Sequence, residues 1–425
     1  MTEISNRSVF KQKLSEFRRE KRPITLYLID LDDFKAINDV YGHSAGDAAL
    51  VTVATRLTEI IQDRGGMVAR LGGDEFAAII PGSGSEEDAQ AVGAAMIDRI
   101  QQPFMHDGIL LTPSASIGIA QAANGPDDNG DTLIKLADYA MYQAKEDGKG
   151  GFRLFDAEIG AHVARRKELA AALPFAISNG EIVLRFQPQI NLETGALKGF
   201  EALARWDRGS DLLQPNEFIE IAEESGVIRV LDFYVFEQSA RRLTEWLDRG
   251  SPRLTMSTNL SARNFETDDL PDAIARILEK TGAPPELMVL EFTESILIAN
   301  WESVTGTVSQ LRKLGVKIAL DDFGTGYSSL SYLRKIEVDE IKIDRTFIAD
   351  IEQSEETLFV FDNVADMATG LGKSLVIEGI ETQRQNEIVT AHGGQIGQGY
   401  LFGAPLLPED AEEMVFKKDA TRTAS

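Results

Sequence analysis

No cysteine occurs in the 425 residues, which excludes a disulfide framework and thiolate chemistry and suits a reducing, cytoplasmic setting. Histidine is nearly as scarce, and the four present, His43, His106, His162 and His392, show no metal-ligand spacing. No uninterrupted apolar run is long enough to span a bilayer, and the first residues, Met1-Thr2-Glu3-Ile4-Ser5-Asn6-Arg7, hold no apolar signal core. The expectation is a soluble chain without a membrane span. Positive charge is also short: 43 Lys and Arg stand against 68 Asp and Glu, a formal net charge of −25. A far field of that sign repels polyanions, which argues against nucleic acid polymers and anionic membranes as partners. A phosphorylated small molecule remains open if metal ions intervene. Repeats and low-complexity tracts are absent apart from a polar tail, 417–425, expected to fray.

What is present suits globular domains with sizeable cores: 43% apolar and 26% charged residues, at a length that holds two or three domains. One stretch stands out, Lys317-Ile318-Ala319-Leu320-Asp321-Asp322-Phe323-Gly324-Thr325-Gly326. An apolar strand ends there in two adjacent carboxylates and a glycine loop. Taken alone it reads as an Asp/Gly turn. Two like charges delivered together also suit holding a cation or dividing acid and base roles.

In the first half, Ile24 to Ile29 reads as a buried strand running into Asp30-Leu31-Asp32-Asp33-Phe34-Lys35. Helical spacing then carries Ala36, Ile37 and Val40 to Tyr41-Gly42-His43, and a second helix opens near Asp47. Strands Met67 to Arg70 and Phe76 to Ile80 flank Leu71-Gly72-Gly73-Asp74-Glu75, a hairpin with one more acid than a turn needs. A helix over about Glu86 to Gln102, strands around Ile109 to Thr112 and Ser114 to Ala120, and a helix with Leu133, Leu136, Ala137, Ala140, Met141 and Ala144 on one face complete an α/β sandwich with a central, mainly antiparallel sheet.

With Gly72-Gly73-Asp74-Glu75-Phe76, Asp30 to Asp39, Tyr41 to Asp47 and Ala137 to Lys145, residues 1–156 resemble a GGDEF diguanylate cyclase domain. The resemblance implies that Asp30, the Leu31 carbonyl, Asp74 and Glu75 hold Mg²⁺ on GTP, with Asp74 also serving as acid/base partner of the attacking hydroxyl. It implies that Asn38 and Asp47 read the guanine edge, that Lys145 and Lys149 meet phosphates, and that Gly72 and Gly73 let the backbone approach the nucleotide. Three departures bear on activity. Asp63-Arg64-Gly65-Gly66 stands where the family often has an inhibitory Arg-x-x-Asp site; Lys149 replaces a phosphate-contacting Arg, losing the bidentate fork; and no sensor or coiled coil is expected ahead of the domain to pair two copies. GTP binding is expected, with cyclase activity and regulation of the neighbouring domain as alternatives.

A linker and leading helix over 157–177, which Pro174 should stop or kink, gives way to a second domain over 178–416. There, strands Val183 to Phe186, Phe200 to Trp206, Leu254 to Thr258, Met288 to Leu290, Lys317 to Leu320, Glu340 to Ile343, Leu375 to Ile377 and one at Ile396 end in polar residues, separated mostly by helical stretches. Eight such strands over roughly 240 residues fit a (β/α)8, TIM-like barrel with its site at the carboxyl ends. Period-two geometry puts Glu201, Leu203 and Arg205 on one face. Glu291, Asp321, Asp322, Lys342 and Glu378 would converge at the same rim, a set suited to two-metal hydrolysis of a phosphate ester.

Glu201-Ala202-Leu203-Ala204-Arg205-Trp206, Phe186-Gln187-Pro188, Asn259-Leu260-Ser261, Leu290 to Ser295, Asp321 to Leu330, Ile341 to Asp344, Glu378 to Thr382 and Gln398-Gly399-Tyr400 make this half resemble the EAL phosphodiesterases. The resemblance implies that two Mg²⁺ or Mn²⁺ ions open cyclic di-GMP to the linear dinucleotide. Glu201, Asn259, Glu291 and Asp321 would bind one, and Asp321 and Asp322 with Glu378 the other. Lys342 would orient the attacking water, Gln187 and Arg205 contact substrate, Gln398 support the water or metal shell, and Glu294 brace the glycine loop. Homodimers through this domain are also implied. The competing class is a receptor that binds cyclic di-GMP or GTP without turnover and signals through protein partners. Two decoys are set aside: Gly370-Leu371-Gly372-Lys373-Ser374 lacks the first glycine of a phosphate loop, and Trp206, Trp246 and Trp301 read as packing residues.

Overall fold

The computed structural model describes residues 4–20, 23–82, 85–122, 130–294, 296–297, 301–324 and 335–417. The tail beyond Lys417 and the loop from Thr325 to Leu330 therefore lie outside the described residues. Two compact units divide the chain between Lys167 and Glu168. Among the described residues, no helix is long and apolar enough to cross a membrane.

The first unit is the expected sandwich. Its six-stranded sheet runs in the order Ser5–Asn6, Met67–Gly72, Glu75–Pro81, Ile24–Leu31, Ala115–Ala122, Phe152–Leu154, antiparallel except for the outermost pair on each side. Strand alternation explains the two helical layers. Tyr27, Ile29 and Leu31 pack with Leu50, Val53 and Leu57 of helix His43–Gln62 and with Met96, Ile97 and Ile100 of helix Glu86–Ile100. Ile24, Leu26 and Leu28 pack with Phe10 and Leu14 of helix Arg7–Arg19 and with Leu133, Ala137 and Met141 of helix Gly130–Glu146.

Two local expectations change. Helix His43–Gln62 opens before Asp47, because the Gly42 carbonyl already accepts the N–H groups of Ala45 and Gly46. Ile109–Leu111 pairs with Phe104–His106 in a separate two-stranded ribbon, outside the main sheet. Asp107 and Gly108, both at positive φ, make its turn, and Asp-Gly between apolar pairs is a hairpin signal.

Helix Ala157–Asn179 begins in the first unit and ends in the second, and it continues through Pro174, where a stop or kink was expected. An interior proline costs about 3 kcal/mol. Burial of Leu169, Leu173, Ala176 and Ile177 on both sides of it offsets that cost. Eight strands then close into a barrel: Ile182–Asn191, Leu197–Asp207, Thr255–Asn259, Met288–Thr293, Lys317–Phe323, Glu340–Ile343, Ser374–Ile377 and Ile396–Gln398. Seven are mutually parallel, while the first runs antiparallel to both its neighbours. The link at 192–196 is too short for a parallel crossover, which needs a dozen or more residues. Outside the barrel wall, Phe186, Phe200 and Trp246 form an aromatic cluster with centroids 5.5–6.2 Å apart.

One acid in this core belongs to no catalytic rim. Asp232, on helix Ile228–Asp248, accepts the Ser261 N–H at 2.9 Å and the Asn264 side-chain amide at 2.6 Å. Burial lifts its carboxyl to about 7 against the pull of those donors, with Glu223 adding to the rise. A raised acid keeps in the fold a proton that the unfolded chain has already lost, so its stabilisation is complete below the unfolded value and lost as pH climbs through the folded one. Urea unfolding should therefore show stability falling between about pH 4 and 7 and levelling off above it. Asp232→Asn should remove part of that fall, on the order of 4 kcal/mol at full shift; an unchanged pH slope in the variant would contradict the assignment.

Candidate functional site

The barrel mouth is built around one ammonium. Lys342, third residue of the sixth strand, is 1% exposed. Its Nζ lies 2.5 Å from Glu291 Oε2, 2.6 Å from Glu378 Oε1, 3.3 Å from Glu201 Oε2 and 3.4 Å from Asp321 Oδ1. Parallel register explains the convergence: Glu201 pairs with Ser257, Asn259 with Glu291, Thr293 with Asp321 and Lys342 with Val376, so successive strands step their acids around one ring.

Glu201 is the most completely held. Asn259 donates to its Oε1 at 2.7 Å, and Gln398 donates to its Oε2 at 2.6 Å. The Gln398 amide also donates to Gln187 Oε1 at 3.1 Å and accepts from Gln189 at 3.0 Å. Asp321 Oδ1 accepts the N–H of Asp322, whose φ of 53° is a left-handed conformation that Asp tolerates better than most residues. Glu294 Oε2 accepts the Gly324 N–H at 3.3 Å, and the remainder of the glycine loop lies outside the described residues.

Charge separates the acids. Burial works to raise Glu201, but Lys342 and the Gln398 and Asn259 donors outweigh it, leaving the carboxyl below its usual value. Glu291 goes well above, through burial and its Glu201 and Asp321 neighbours, against the pull of Lys342. Glu378 is lifted to about 7 by burial and by Asp321 and Glu201, again opposed by Lys342. Asp322 rises through burial and the adjoining Asp321 and Asp344 charges. Burial alone would lower Lys342, yet the surrounding carboxylates hold it well above its ordinary value.

One cation cannot balance this set, and the residues fit further cations. Glu291 Oε1 is buried without a hydrogen-bond partner. Oxygens of Asp321, Asp322 and Glu378 lie within 4.8 Å of one another. Carboxylate and amide oxygens are the donors that hard divalent ions take. A cleft of about 380 Å³ opens over the ring, lined by Gln187, Glu201, Arg205, Asn259, Asp321, Glu378 and Gln398. Arg345 and Tyr400 also line it and were missed in the sequence. Their signal was position: each sits shortly after a polar strand end. Gln189, missed as well, shares the period-two face of Gln187.

In the first unit, Asp30 lies opposite Glu75 across the strand pair, and the Leu31 N–H donates to the Asp74 carbonyl at 3.4 Å. Lys145 Nζ sits 2.7 Å from Asp30 Oδ1. Burial raises Asp30, Asp74 and Asp32 add to the rise, and Lys145 opposes it. Asp30, Asp74 and Glu75 do not gather their oxygens as tightly as the barrel acids do. The hairpin turn is tied by Arg70 Nε donating to the Gly73 carbonyl at 2.8 Å, with Gly73 in the left-handed region and Gly72 beside it. Asn38 packs on Gly46, where a Cβ would come within 2.1 Å of its Oδ1, and Asp47 follows on the exposed side. Lys149, expected at phosphates, is paired with Asp33 at 2.8 Å.

Residues 170–405 match the EAL domain family, and residues 1–151 match the family of the diguanylate cyclase, GGDEF domain. The bifunctional diguanylate cyclase/cyclic di-GMP phosphodiesterase MucR of Pseudomonas aeruginosa is 33% identical over 96% of this chain and 60% of its own length. The cyclic di-GMP phosphodiesterase PdeR of Escherichia coli is 32% identical over 98% of this chain and 63% of its own. The chain thus spans from just under half to nearly two thirds of the length of these curated relatives. Among solved structures, the PaMucR phosphodiesterase in complex with c-di-GMP superposes with a TM-score of 0.55 at 33% identity, over 57% of this chain and 99% of that one.

Removing Lys342 tests the electrostatic picture without any ligand. Lys342→Met should lower stability by roughly 3–5 kcal/mol in urea unfolding with EDTA, because it strands buried carboxylates. Adding Glu291→Gln should recover part of the loss. A Lys342→Met protein as stable as wild type would show that the ammonium is not what balances the ring.

Proposed function

Because the chain belongs to the family of tandem GGDEF–EAL proteins, we propose that its barrel is a metal-dependent phosphodiesterase that opens cyclic di-GMP to the linear dinucleotide pGpG. The observation that carries the reading is the ring of four acids around Lys342, three of them lining an open cleft and the fourth, Glu291, with its buried Oε1 left unpartnered. Glu201, Asn259, Glu291 and Asp321 would hold one divalent ion, Mg²⁺ or Mn²⁺, and Asp321, Asp322 and Glu378 the second. When bound, such ions neutralise the phosphodiester and lower the pKa of water.

The chain's own residues supply the rest. Lys342 Nζ, within 3.4 Å of four carboxylates, would orient the attacking water. Glu378, poised near neutrality and 2.6 Å from that ammonium, can take up a proton at the same locus. Gln187 and Arg205 face the cleft and contact substrate, Arg205 with its guanidinium steadied by the Ala204 carbonyl at 2.8 Å. Gln398 holds Glu201 in its donating geometry. Glu294 braces the start of the loop after Phe323.

The first unit is read as a GTP-binding module. Asp30, the Leu31 carbonyl, Asp74 and Glu75 would receive Mg²⁺ with the nucleotide, Asn38 and Asp47 the guanine edge, and Lys145 the phosphates after leaving Asp30. Gly72 and Gly73 would allow close backbone approach. Lys149 would first have to leave Asp33. Dimerisation through the barrel unit is part of the same reading.

Purified protein incubated with cyclic di-GMP and Mg²⁺ or Mn²⁺ should yield pGpG, and Glu201→Ala or Asp321→Ala should bring product below detection. Binding without product under either metal would establish a receptor instead. Incubating the Glu201→Ala variant with GTP, where hydrolysis cannot hide synthesis, should show whether cyclic dinucleotide is formed. GTP titrated into wild type should change the hydrolysis rate; a flat response would remove the regulatory role of the first unit.

A further inference from the structure

Gln189 stands two residues beyond Gln187 on the first barrel strand and is 1% exposed. Its backbone partner across the antiparallel pair is Gln398. Its side chain does not line the cleft; it donates from Nε2 to Gln398 Oε1 at 3.0 Å. That contact decides which way round the Gln398 amide sits. With its oxygen occupied, Gln398 turns its nitrogen toward Glu201 Oε2 at 2.6 Å and Gln187 Oε1 at 3.1 Å.

The reversed amide would set a carbonyl oxygen against a carboxylate oxygen, both on buried side chains. A buried acceptor left facing another acceptor keeps its full desolvation penalty, and the penalty grows where one of them is charged. Gln189 therefore biases Gln398 toward its donating sense from the side remote from the acids. Glu201 in turn keeps one donor set per oxygen: Asn259 on Oε1, Gln398 and Lys342 on Oε2.

We infer that Gln189 is a positioning residue of this site, fixing the orientation of the Gln398 amide and through it the Glu201 carboxylate that would receive a divalent ion. The inference rests on the phosphodiesterase reading and deepens it. Residues that orient metal ligands at one remove typically change metal affinity or activity by about 10–100-fold when replaced.

The test is a double-mutant cycle on Mn²⁺ affinity, read by calorimetry without nucleotide. It uses wild type, Gln189→Met, Gln398→Leu and the double variant, with thermal unfolding in EDTA as a check on folding. Methionine keeps about the length and volume of glutamine and removes its amide, and with it the Nε2 donor. Gln189→Met should weaken Mn²⁺ about tenfold, lower kcat and leave KM for cyclic di-GMP unchanged. In the Gln398→Leu background the same change should add nothing further, because its route is gone. Unaltered Mn²⁺ affinity in Gln189→Met, or losses that add in the double variant, would overturn the inference. A wild type that binds Mn²⁺ yet makes no pGpG sinks the enzyme reading and leaves the cycle to decide Gln189; a wild type that binds no Mn²⁺ overturns both.

Discussion

A single buried ammonium sets the terms for the barrel. Lys342 is enclosed by Glu201, Glu291, Asp321 and Glu378 at 2.5–3.4 Å, a group that no folded chain gathers without reason. Desolvating each ion costs several kcal/mol, and attraction repays it only when geometry and hydrogen bonds are good. The parallel strands supply that geometry. Their register steps acids around the mouth at fixed spacing, and Asn259 and Gln398 complete the hydrogen bonding of Glu201. The balance still ends negative, which is why the ring reads as an unfinished charge arrangement suited to further cations.

The same arithmetic separates the acids into kinds. Glu201 has donors for both oxygens and is held ionised, whereas Glu291 has the same ammonium but an unpartnered second oxygen and is pushed up. Their burial is nearly equal, so the donors around Glu201 and the like charges beside Glu291 make the difference. Glu378, nearer the cleft, lands near neutrality. One scaffold thus keeps one carboxyl below its usual range and lifts another to near neutrality, with the same side chain in different surroundings.

Much of this was legible in the sequence because period-two strands and polar strand ends are local signals. Asp321-Asp322 could be singled out from its neighbours alone, and the recurrence of acids at Glu201, Glu291, Lys342-Ile343-Asp344 and Glu378 implied a shared rim. Other features depend on contacts far apart in the chain. The passage of a helix through Pro174 is set by burial of Leu169 and Ile177 on either side, which proline rules do not see. The pairing of Lys149 with Asp33 joins residues 116 positions apart and changes a presumed phosphate ligand into a paired charge. Gln189 was hidden for a similar reason: its meaning lies in an amide more than two hundred residues later. The reversed first strand and the ribbon at Asp107-Gly108 were written locally, in a short link and a turn dipeptide.

The two units meet a common problem with different rigidity. In each, a lysine ammonium neutralises carboxylates that would also serve a divalent ion. Lys145 does so for Asp30 with its side chain 33% exposed, so water can replace either partner and the pair can separate at modest cost. Lys342, at 1% exposure, has no such exit, and any arriving ion must be accommodated around it. A site with an exchangeable counter-ion is suited to changing state as a charged nucleotide comes and goes. A site whose counter-ion is locked in place is preorganised and loses little geometry between one turnover and the next. The contrast leaves the sandwich with an exposed counter-ion that can exchange and the barrel with one fixed in place.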